Sequence, residues 1–584
     1  MLRRVFVSLL ALAFLTACAT TPPPPLYDGL GDSGHTISSD TALAVDYFDQ
    51  GLALCWGFNH DEAKRSFEHA LELDPSCAMA QWGIAYTLGP NINGPLVDPA
   101  VALQAHRAAQ MALAMVRAED RAAVHASDRA EDQATGDAVD RAAEHAHVAP
   151  SRSTPVERAL IEALAVRFAD PPPADRAPLD LAYADAMRAV WKRFPNEPLV
   201  GTLFADALMN INQDWRAWGT DEERGDHTLE IVGTLENVLA LAPQHTGANH
   251  FYIHAVEASD NPDRGLRSAS ALGDLMPAAG HMVHMPAHIF MRLGMYDESV
   301  DSNKRAVAAD NEFFAQAPRQ GVYHLYRAHN SHFLAWAAMF RGSKGDALFA
   351  ARDMESKLPT EAGPFTPVID AYRFVPMHVM MRFGMWDEML AEPAPNNIYK
   401  LSTALWHHGR AIAFANTERF DAARAEAANF EPLATDFLAS MGDAMPANFK
   451  VELTNVLAAA RHVMWGEILF REGDHEGGLA ALRKGVAAEQ ALPYGEPPGW
   501  MQPVRHSLGA LLLEVDQVDE AEAVYRADLE RYADNVWSLH GLAECLRRTG
   551  RESEAIWVQK RYDEVAAHAD VEITASCFCR KSES

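Results

Sequence analysis

AVDYFDQGLALCWGFNHDEAKRSFEHALELDPSC, residues 44–77, carries the strongest regularity in this chain. Its apolar residues recur at i, i+3, i+4 and i+7, the spacing of amphipathic helices. A segment of the same kind begins 34 residues later, at residue 78. Small, aromatic and proline residues mark fixed places in the stretch: Gly51, Ala63, Phe67, Ala70 and Pro75. The pattern predicts a helical hairpin that is repeated along the chain.

The placement of these residues resembles the tetratricopeptide repeat, a 34-residue unit of two helices. Counted by the same rule, units begin near residues 44, 78, 246, 280, 328, 370, 404, 459, 502 and 536. Five glycines support a turn inside several of these units: Gly294, Gly342, Gly384, Gly473 and Gly550. The resemblance implies an all-α fold, a right-handed α-solenoid of antiparallel helix pairs whose first helices line a concave groove.

Length and charge agree with this fold. The chain has 584 residues, enough by length for about three or four ordinary domains or for one extended solenoid, and we favour the solenoid. Its formal net charge is −30. Nucleic-acid binding needs a basic face, so this charge argues against a nucleic-acid partner.

Residues 1–18 have the pattern of an export signal. Two arginines precede a short apolar run, and a small-residue cleavage site ends at Cys18. The segment resembles a bacterial lipoprotein signal peptide, which implies lipidation of Cys18 and a flexible, proline-rich tether at 19–40. Because Ala19 is not aspartate, the resemblance implies the outer membrane, facing the periplasm, with membrane contact only through the lipid. A plain secretory peptide and a secreted or periplasmic protein are the alternative.

Breaks in the pattern divide the rest of the chain. The expected parts are N-terminal units at 41–100, a helical linking region at 101–245 with an exposed segment at 118–155, central units at 246–435, C-terminal units at 436–570 and a disordered tail at 571–584. In the tail, the spacing of Cys577 and Cys579 is too tight for a zinc hook or an unstrained disulfide. Cys55 and Cys77 fall in one repeat, where they either pair or fill the core.

Histidines concentrate at the groove-facing places of the central units. His250 and His254 lie four apart on one predicted helix, and His284 and His288 repeat this spacing 34 residues later. Residues four apart share a helix face, so each pair can supply two nitrogen ligands to one metal ion. Glu257 lies one turn further on, as an oxygen ligand or a base for a bound water. The predicted ligands of a transition metal are therefore His250, His254, Glu257, His284 and His288.

The expected cofactor is zinc or copper. Imidazole suits both ions, as well as nickel and iron. Several methionines crowd the same stretch: Met276, Met282, Met285, Met291 and Met295. Thioether beside imidazole favours copper, whereas methionine at helical spacing also fills cores. The zinc-hydrolase pattern His-Glu-x-x-His is absent, so whether the site is catalytic stays open.

The same groove offers a second interpretation. Further polar and aromatic side chains are predicted to line the groove: Asn249, His281, Tyr323, His329, His332, Trp336, His378 and His408. The groove of a repeat protein commonly binds peptides through such side chains. Docking of a peptide or a cell-envelope protein is therefore the alternative to a metal or small-ligand site, and a structural polar network is the third interpretation.

A proline-rich loop, Tyr494-Gly495-Glu496-Pro497-Pro498-Gly499-Trp500, interrupts the C-terminal units. Its two prolines prevent helix formation and stiffen the loop. The loop either leans across the groove and closes it or simply connects two units. Together with the histidine segment at 281–288, it resembles a set of bacterial repeat proteins. That resemblance covers most of the chain but supplies no activity.

Overall fold

The computed structural model describes residues 23–31, 35–94, 97–134, 152–212, 216–218, 224–317, 321, 323–358, 366–442 and 447–581. This part of the chain is all-α, as predicted, with 26 α-helices, two short 3-10 helices and one isolated bridge between Asn91 and Gly94. The predicted signal peptide with Cys18 lies outside the described residues, as do residues 135–151 of the predicted exposed segment at 118–155.

The first eight helices precede the histidine-rich region. Helices α1 and α2 form the first predicted unit, and α3 and α4 form the second. From α5 to α8, each helix packs against the next one. The eight helices are α1 (Ala42–Trp56), α2 (His60–Leu73), α3 (Ala78–Thr87), α4 (Pro99–Ala134), α5 (Pro155–Ala165), α6 (Ala177–Arg193), α7 (Pro198–Met209) and α8 (Thr228–Leu241).

The central helices begin close to the predicted unit starts. They are α9 (Thr246–Glu257), α10 (Leu266–Leu275), α11 (Gly280–His284), α12 (Pro286–Arg292), α13 (Tyr296–Gln316), α14 (Tyr323–Arg341), α15 (Lys344–Lys357), α16 (Thr366–Tyr372), α17 (Val375–Arg382), α18 (Trp386–Ala391), α19 (Lys400–Asn416) and α20 (Phe420–Ser440). The second predicted histidine helix is divided, because Pro286 has no N–H to continue α11 and instead begins α12.

The C-terminal helices form three stacked pairs. They are α21 (Ala447–Arg471), α22 (His475–Gln490), α23 (Val504–Glu514), α24 (Val518–Arg531), α25 (Val536–Arg548) and α26 (Glu552–Val565). Each helix packs against the next one in the chain. None of the helices that the structure describes has the length and apolar composition needed to cross a bilayer.

A left-handed residue marks the same place in eight units. Counted from the predicted unit starts, the fifteenth residue has a positive φ in each of them: Phe58, Gly294, Gly342, Gly384, Glu418, Gly473, Asp516 and Gly550. The residue lies in the turn between the two helices of a unit. A left-handed conformation costs a non-glycine residue about 1–2 kcal/mol, which explains why glycine occupies five of the eight places. The shared turn confirms the register of these units.

The helix pairs cross at glycines that face an aromatic ring. A Cβ atom at Gly51 of α1 or Gly83 of α3 would come within 2.7 and 2.5 Å, respectively, of the ring of Phe67 on α2. Only hydrogen at these two positions lets the three helices approach one another. The C-terminal units repeat this arrangement with Gly509, Tyr525 and Gly541.

The described part of the predicted tether, residues 23–31 and 35–40, packs on the first helices. The backbone N–H of Tyr27 donates to Gln50 Oε1 at 2.8 Å, and the Tyr27 hydroxyl donates to Glu62 at 2.7 Å. Leu30 and Ile37 are buried as well. The prediction of a flexible tether is therefore wrong for these residues, because their apolar side chains have a surface of the solenoid to cover.

The C-terminal residues up to Lys581 are also packed, so the prediction of a disordered tail is wrong for them. Cys577 and Cys579 are buried and form a disulfide. Arg382 of α17 donates to the carbonyl of Ser576. Cys55 and Cys77 remain free and fill the core.

Replacing Gly83 by alanine is expected to destabilise the protein by about 1–3 kcal/mol, because the new methyl group overlaps the buried ring of Phe67. Urea unfolding followed by circular dichroism measures the change. Gly233→Ala in α8 is the matched control, since no atom lies within 4 Å of its added Cβ. There we expect unchanged stability or a gain of up to about 1 kcal/mol. Equal stability of Gly83→Ala and the wild type would contradict the packing account.

Candidate metal centre in the groove

Helix α9 is buried along its whole length, although it carries His250, His254 and Glu257. It packs against neighbouring helices that include α1, α8 and α12. Buried polar groups in proteins almost always have hydrogen-bond partners. The contacts of these three side chains therefore show how the region is used.

Two buried histidines are fixed through Nδ1 by an oxygen atom that carries no proton. His250 Nδ1 lies 2.6 Å from the carbonyl oxygen of Trp56, and His284 Nδ1 lies 2.7 Å from Oδ1 of Asn303. Nδ1 must donate in both contacts, since a carbonyl or amide oxygen can only accept. In the neutral ring, Nε2 then keeps its lone pair free to bind a proton donor or a metal ion.

The carboxylate of Glu257 contacts two further histidines. Its Oε1 lies 3.3 Å from His254 Nδ1, and its Oε2 lies 2.9 Å from His288 Nδ1. Glu496 Oε2 also lies 3.1 Å from His288 Nδ1. The contacts at His288 are ion pairs whose angles are poor for hydrogen bonds. Glu257 was predicted as a ligand, and it forms with His288 and Glu496 a further group whose ligand atoms lie within 4.8 Å of one another. It also lies on the Nδ1 side of both rings and orients them.

The Nε2 atoms of these rings point toward one another. The Nε2 atoms of His250 and His281 are 3.2 Å apart, and those of His284 and His288 are 3.0 Å apart. His254 Nε2 is buried and has no hydrogen-bond partner among the described residues. Nitrogen ligands 2.0–2.1 Å from a tetrahedral metal ion lie about 3.3 Å from each other. The two measured separations are close to this value.

The histidines form two sets of three. Set A contains His250, His254 and His281, and set B contains His284, His288 and His329. Within each set, one ring nitrogen from every histidine lies within 4.8 Å of the others. The predicted ligands are thus brought together, and His281 and His329, which were predicted as groove residues, join them.

Burial keeps most of these imidazoles neutral. It lowers the pKa of His250, His281, His284 and His329 well below the usual value, and neighbouring histidines lower it further. Neutral imidazole is the form that binds metal ions. In His288, burial lowers the pKa, but the negative charges of Glu257 and Glu496 outweigh it and raise the pKa to about 9.

Phe58 packs against set A from the first repeat. Its ring centroid lies 4.7 Å from that of His250, 5.2 Å from that of His281 and 6.2 Å from that of His254. The residue has a φ of +58° and occupies the turn place where five other units have glycine. Sequence reasoning missed Phe58. The signal that could have revealed it is a bulky aromatic residue at a glycine place of the repeat.

The proline-rich loop leans across the groove, which was one of its two predicted roles. Glu496 reaches His288, and Tyr494 lies under the guanidinium of Arg292, 5.7 Å from it. Arg292 in turn donates to the backbone carbonyl of Glu257. A pocket of about 300 Å³ lies between this loop and Asn93 and is lined by histidines of both sets.

Three other predicted groove residues are covered by neighbouring parts of the chain. Asn249 donates its amide to the carbonyls of Pro243 and His245, which fixes the start of α9. Trp336 is buried among the aromatic rings of the core. His408 is fully buried as well. All three were predicted to line the groove, but neighbouring helices and loops cover them.

The remaining predicted groove residues lie beside the two sets. Tyr323 is buried, and its hydroxyl oxygen accepts the backbone N–H of His281 at 3.4 Å. His332 and His378 line a second pocket of about 320 Å³, which also reaches His329. Nε2 of His332 lies 3.2 Å from the sulfur of Met501. The groove therefore continues from the histidine sets into this pocket.

A family profile described as "Tetratricopeptide repeat" matches residues 58–77. Together with the helix pairs and the shared turn, this match defines an α-solenoid of the tetratricopeptide-repeat type. The chain is similar to the human IFIT1 dimer with m7Gppp-AAAA, at 12% identity over 91% of this chain and 92% of that chain, with a TM-score of 0.30. Yeast Tom70 is similar at 11% identity over 90% of each chain, with a TM-score of 0.27. No curated protein matches the chain in sequence.

Proposed function

We propose that this protein binds a transition metal ion through the histidines of its groove. The observation that carries the proposal is that the two nitrogens of each ring, Nδ1 and Nε2, have different surroundings. In His250, His284 and His288, Nδ1 faces an oxygen atom while Nε2 faces the Nε2 atom of another histidine. In His254, Nδ1 faces Glu257, and Nε2 has no hydrogen-bond partner among the described residues. Histidines that bind metals have this arrangement, because the outer hydrogen bond fixes the ring.

A purely structural network explains the site less well. Burying a polar atom without a partner costs free energy, so a structural network satisfies its nitrogen atoms. His254 Nε2 and His281 Nδ1 are buried and have no hydrogen-bond partner among the described residues. A metal ion bound at His254 Nε2 would give one of these two atoms a partner.

Zinc is the ion that we favour. Neutral imidazoles suit zinc and copper equally, and the neighbouring methionines were the argument for copper. Met276, Met282 and Met285 belong instead to a hydrophobic core cluster, and Met291 belongs to another. Their packing explains these methionines without a role in ligation.

The protein purified without chelator or affinity histidines is expected to contain near-stoichiometric metal when measured by inductively coupled plasma mass spectrometry. A His254→Ala/His284→Ala variant is expected to lose that metal, since it removes one nitrogen from each set. His462→Ala is the control, because His462 lies on α21 outside both sets and is half-buried. Wild-type protein that is folded but binds no added zinc or copper would contradict the proposal.

Docking of a peptide or protein segment is the second candidate function. The observation that favours it is the second pocket, where Leu401, Leu405, Leu453, Val456 and Met501 offer apolar side chains beside the histidines. Apolar pockets with a few polar groups are typical binding sites. A bound segment in this pocket would lie next to the loop that carries Glu496.

Site-specific photo-crosslinking in cells tests docking. A photoreactive phenylalanine analogue at Tyr372, which lines the second pocket, is expected to capture one defined protein. The same analogue at Phe349, which is 57% exposed on α15, is the control and is expected to capture none. Capture of no protein at position 372, or of the same proteins at both positions, would count against docking.

We propose further that the protein is anchored in a bacterial cell envelope through a lipid on Cys18, on the resemblance of residues 1–18 to a lipoprotein signal. Cells fed radiolabelled palmitate are expected to label the wild-type protein and to retain it in the membrane fraction. Cys18→Ala is expected to lose both properties, because the variant lacks the thiol that would carry the lipid. Wild-type protein without label would exclude this localisation.

A further inference from the structure

We infer that the groove binds two metal ions, one in set A and one in set B, with Glu257 as a carboxylate shared by the two sites. The inference rests on the proposed metal-binding function. It adds the number of ions and the way in which they are linked.

The geometry of the rings divides the centre into two sites. The short nitrogen–nitrogen distances, 3.2 Å between His250 and His281 and 3.0 Å between His284 and His288, lie within the sets. Among the described residues, the groups of three histidines whose ring nitrogens lie within 4.8 Å of one another each belong to one set only. A single ion with metal–nitrogen bonds of about 2.0–2.1 Å would have to draw rings of both sets together. Two ions could each be bound by the ring nitrogens of one set without any movement of the rings.

In each set, contacts to the Nδ1 atoms hold two of the three histidine rings in place. In set A, the Trp56 carbonyl fixes His250 and Glu257 fixes His254. In set B, Asn303 fixes His284, while Glu257 and Glu496 fix His288. Such outer contacts hold ligand rings in the orientation that a metal requires. Outer contacts on two of the three histidines in each set favour two separate sites over one site with spare histidines.

The charges also suit two ions. Two neighbouring divalent cations repel each other, and in a buried region this repulsion is weakly screened. The carboxylate of Glu257 touches one histidine of each set, so its negative charge lies close to both sites.

Both sites have access to solvent. The pocket of about 300 Å³ is lined by His254 and His281 from set A and by His288 and His329 from set B. Three nitrogen ligands leave the fourth position of a tetrahedral ion free for water or another small ligand. The two open positions would face the same pocket.

Titration with Co²⁺ tests the number of ions. Chelator-treated protein is titrated with Co²⁺ while the visible absorption of the tetrahedral ion is recorded, and bound metal is counted by mass spectrometry after desalting. We expect two Co²⁺ per chain for the wild type. We expect one for His281→Gln and one for His329→Gln, because each variant removes a ligand from only one set. The double variant is expected to bind none, and the control His462→Gln is expected to bind two.

The outcomes separate the two proposals. No bound Co²⁺ in the folded wild type would overturn the metal-binding function and the inference together. One Co²⁺ in the wild type, lost in both single variants, would overturn only the inference and leave a single shared site. Thermal unfolding checks that each variant folds, and His250→Gln replaces His281→Gln if the latter does not.

A Glu257→Gln variant tests the shared carboxylate. Loss of an outer-shell partner weakens metal affinity by about 10–100-fold, so both sites should weaken in this variant while the two-ion stoichiometry at saturating Co²⁺ is kept. Weakening confined to one of the two titration steps would contradict the shared role of Glu257.

Discussion

The buried carboxylate of Glu257 between His254 and His288 is the contact on which the centre of the structure depends. A buried charge is costly unless it is paired, and removing one partner leaves the other uncompensated. This carboxylate ends α9, its partner His288 lies on α12, and Glu496 brings the proline-rich loop to the same imidazole. The pair of Glu257 and His288 thus joins two neighbouring repeats, and Glu496 adds a loop from the C-terminal half. Glu257 contacts one histidine of each set.

The solenoid explains how so many histidines reach one place. Repeats of equal length stack their first helices side by side, so residues at equal places of neighbouring units become neighbours in space. His250 and His284 are 34 residues apart and hold the same place in their units. The left-handed Phe58 adds a cost of about 1–2 kcal/mol in the first unit. Strained residues of this kind tend to occur at functional sites, and the ring of Phe58 packs against three histidines of set A.

Much of this organisation could be predicted from the sequence. The spacing of Gly51, Phe67 and the later glycines predicted the helix pairs, and helical periodicity placed the paired histidines on common faces. The contacts of Glu257 and Glu496 could not be predicted in the same way, since they depend on side-chain orientation and on a loop more than 200 residues away in sequence. Trp336 was expected in the groove for a related reason: the repeat gives a position on a helix but not the neighbours that cover it. The packed C-terminal residues depend on long-range contacts such as that of Arg382 with Ser576.

The position of bound metal tests this account most directly. Crystals of the zinc-loaded protein, measured on both sides of the zinc absorption edge, would reveal zinc as peaks in the anomalous difference map. The account predicts strong peaks among the Nε2 atoms of His250, His254 and His281 and beside those of His284 and His288, with Glu257 behind the rings. Zinc found only elsewhere, for example beside Glu467 and the C-terminal cysteines or on the surface, would contradict it.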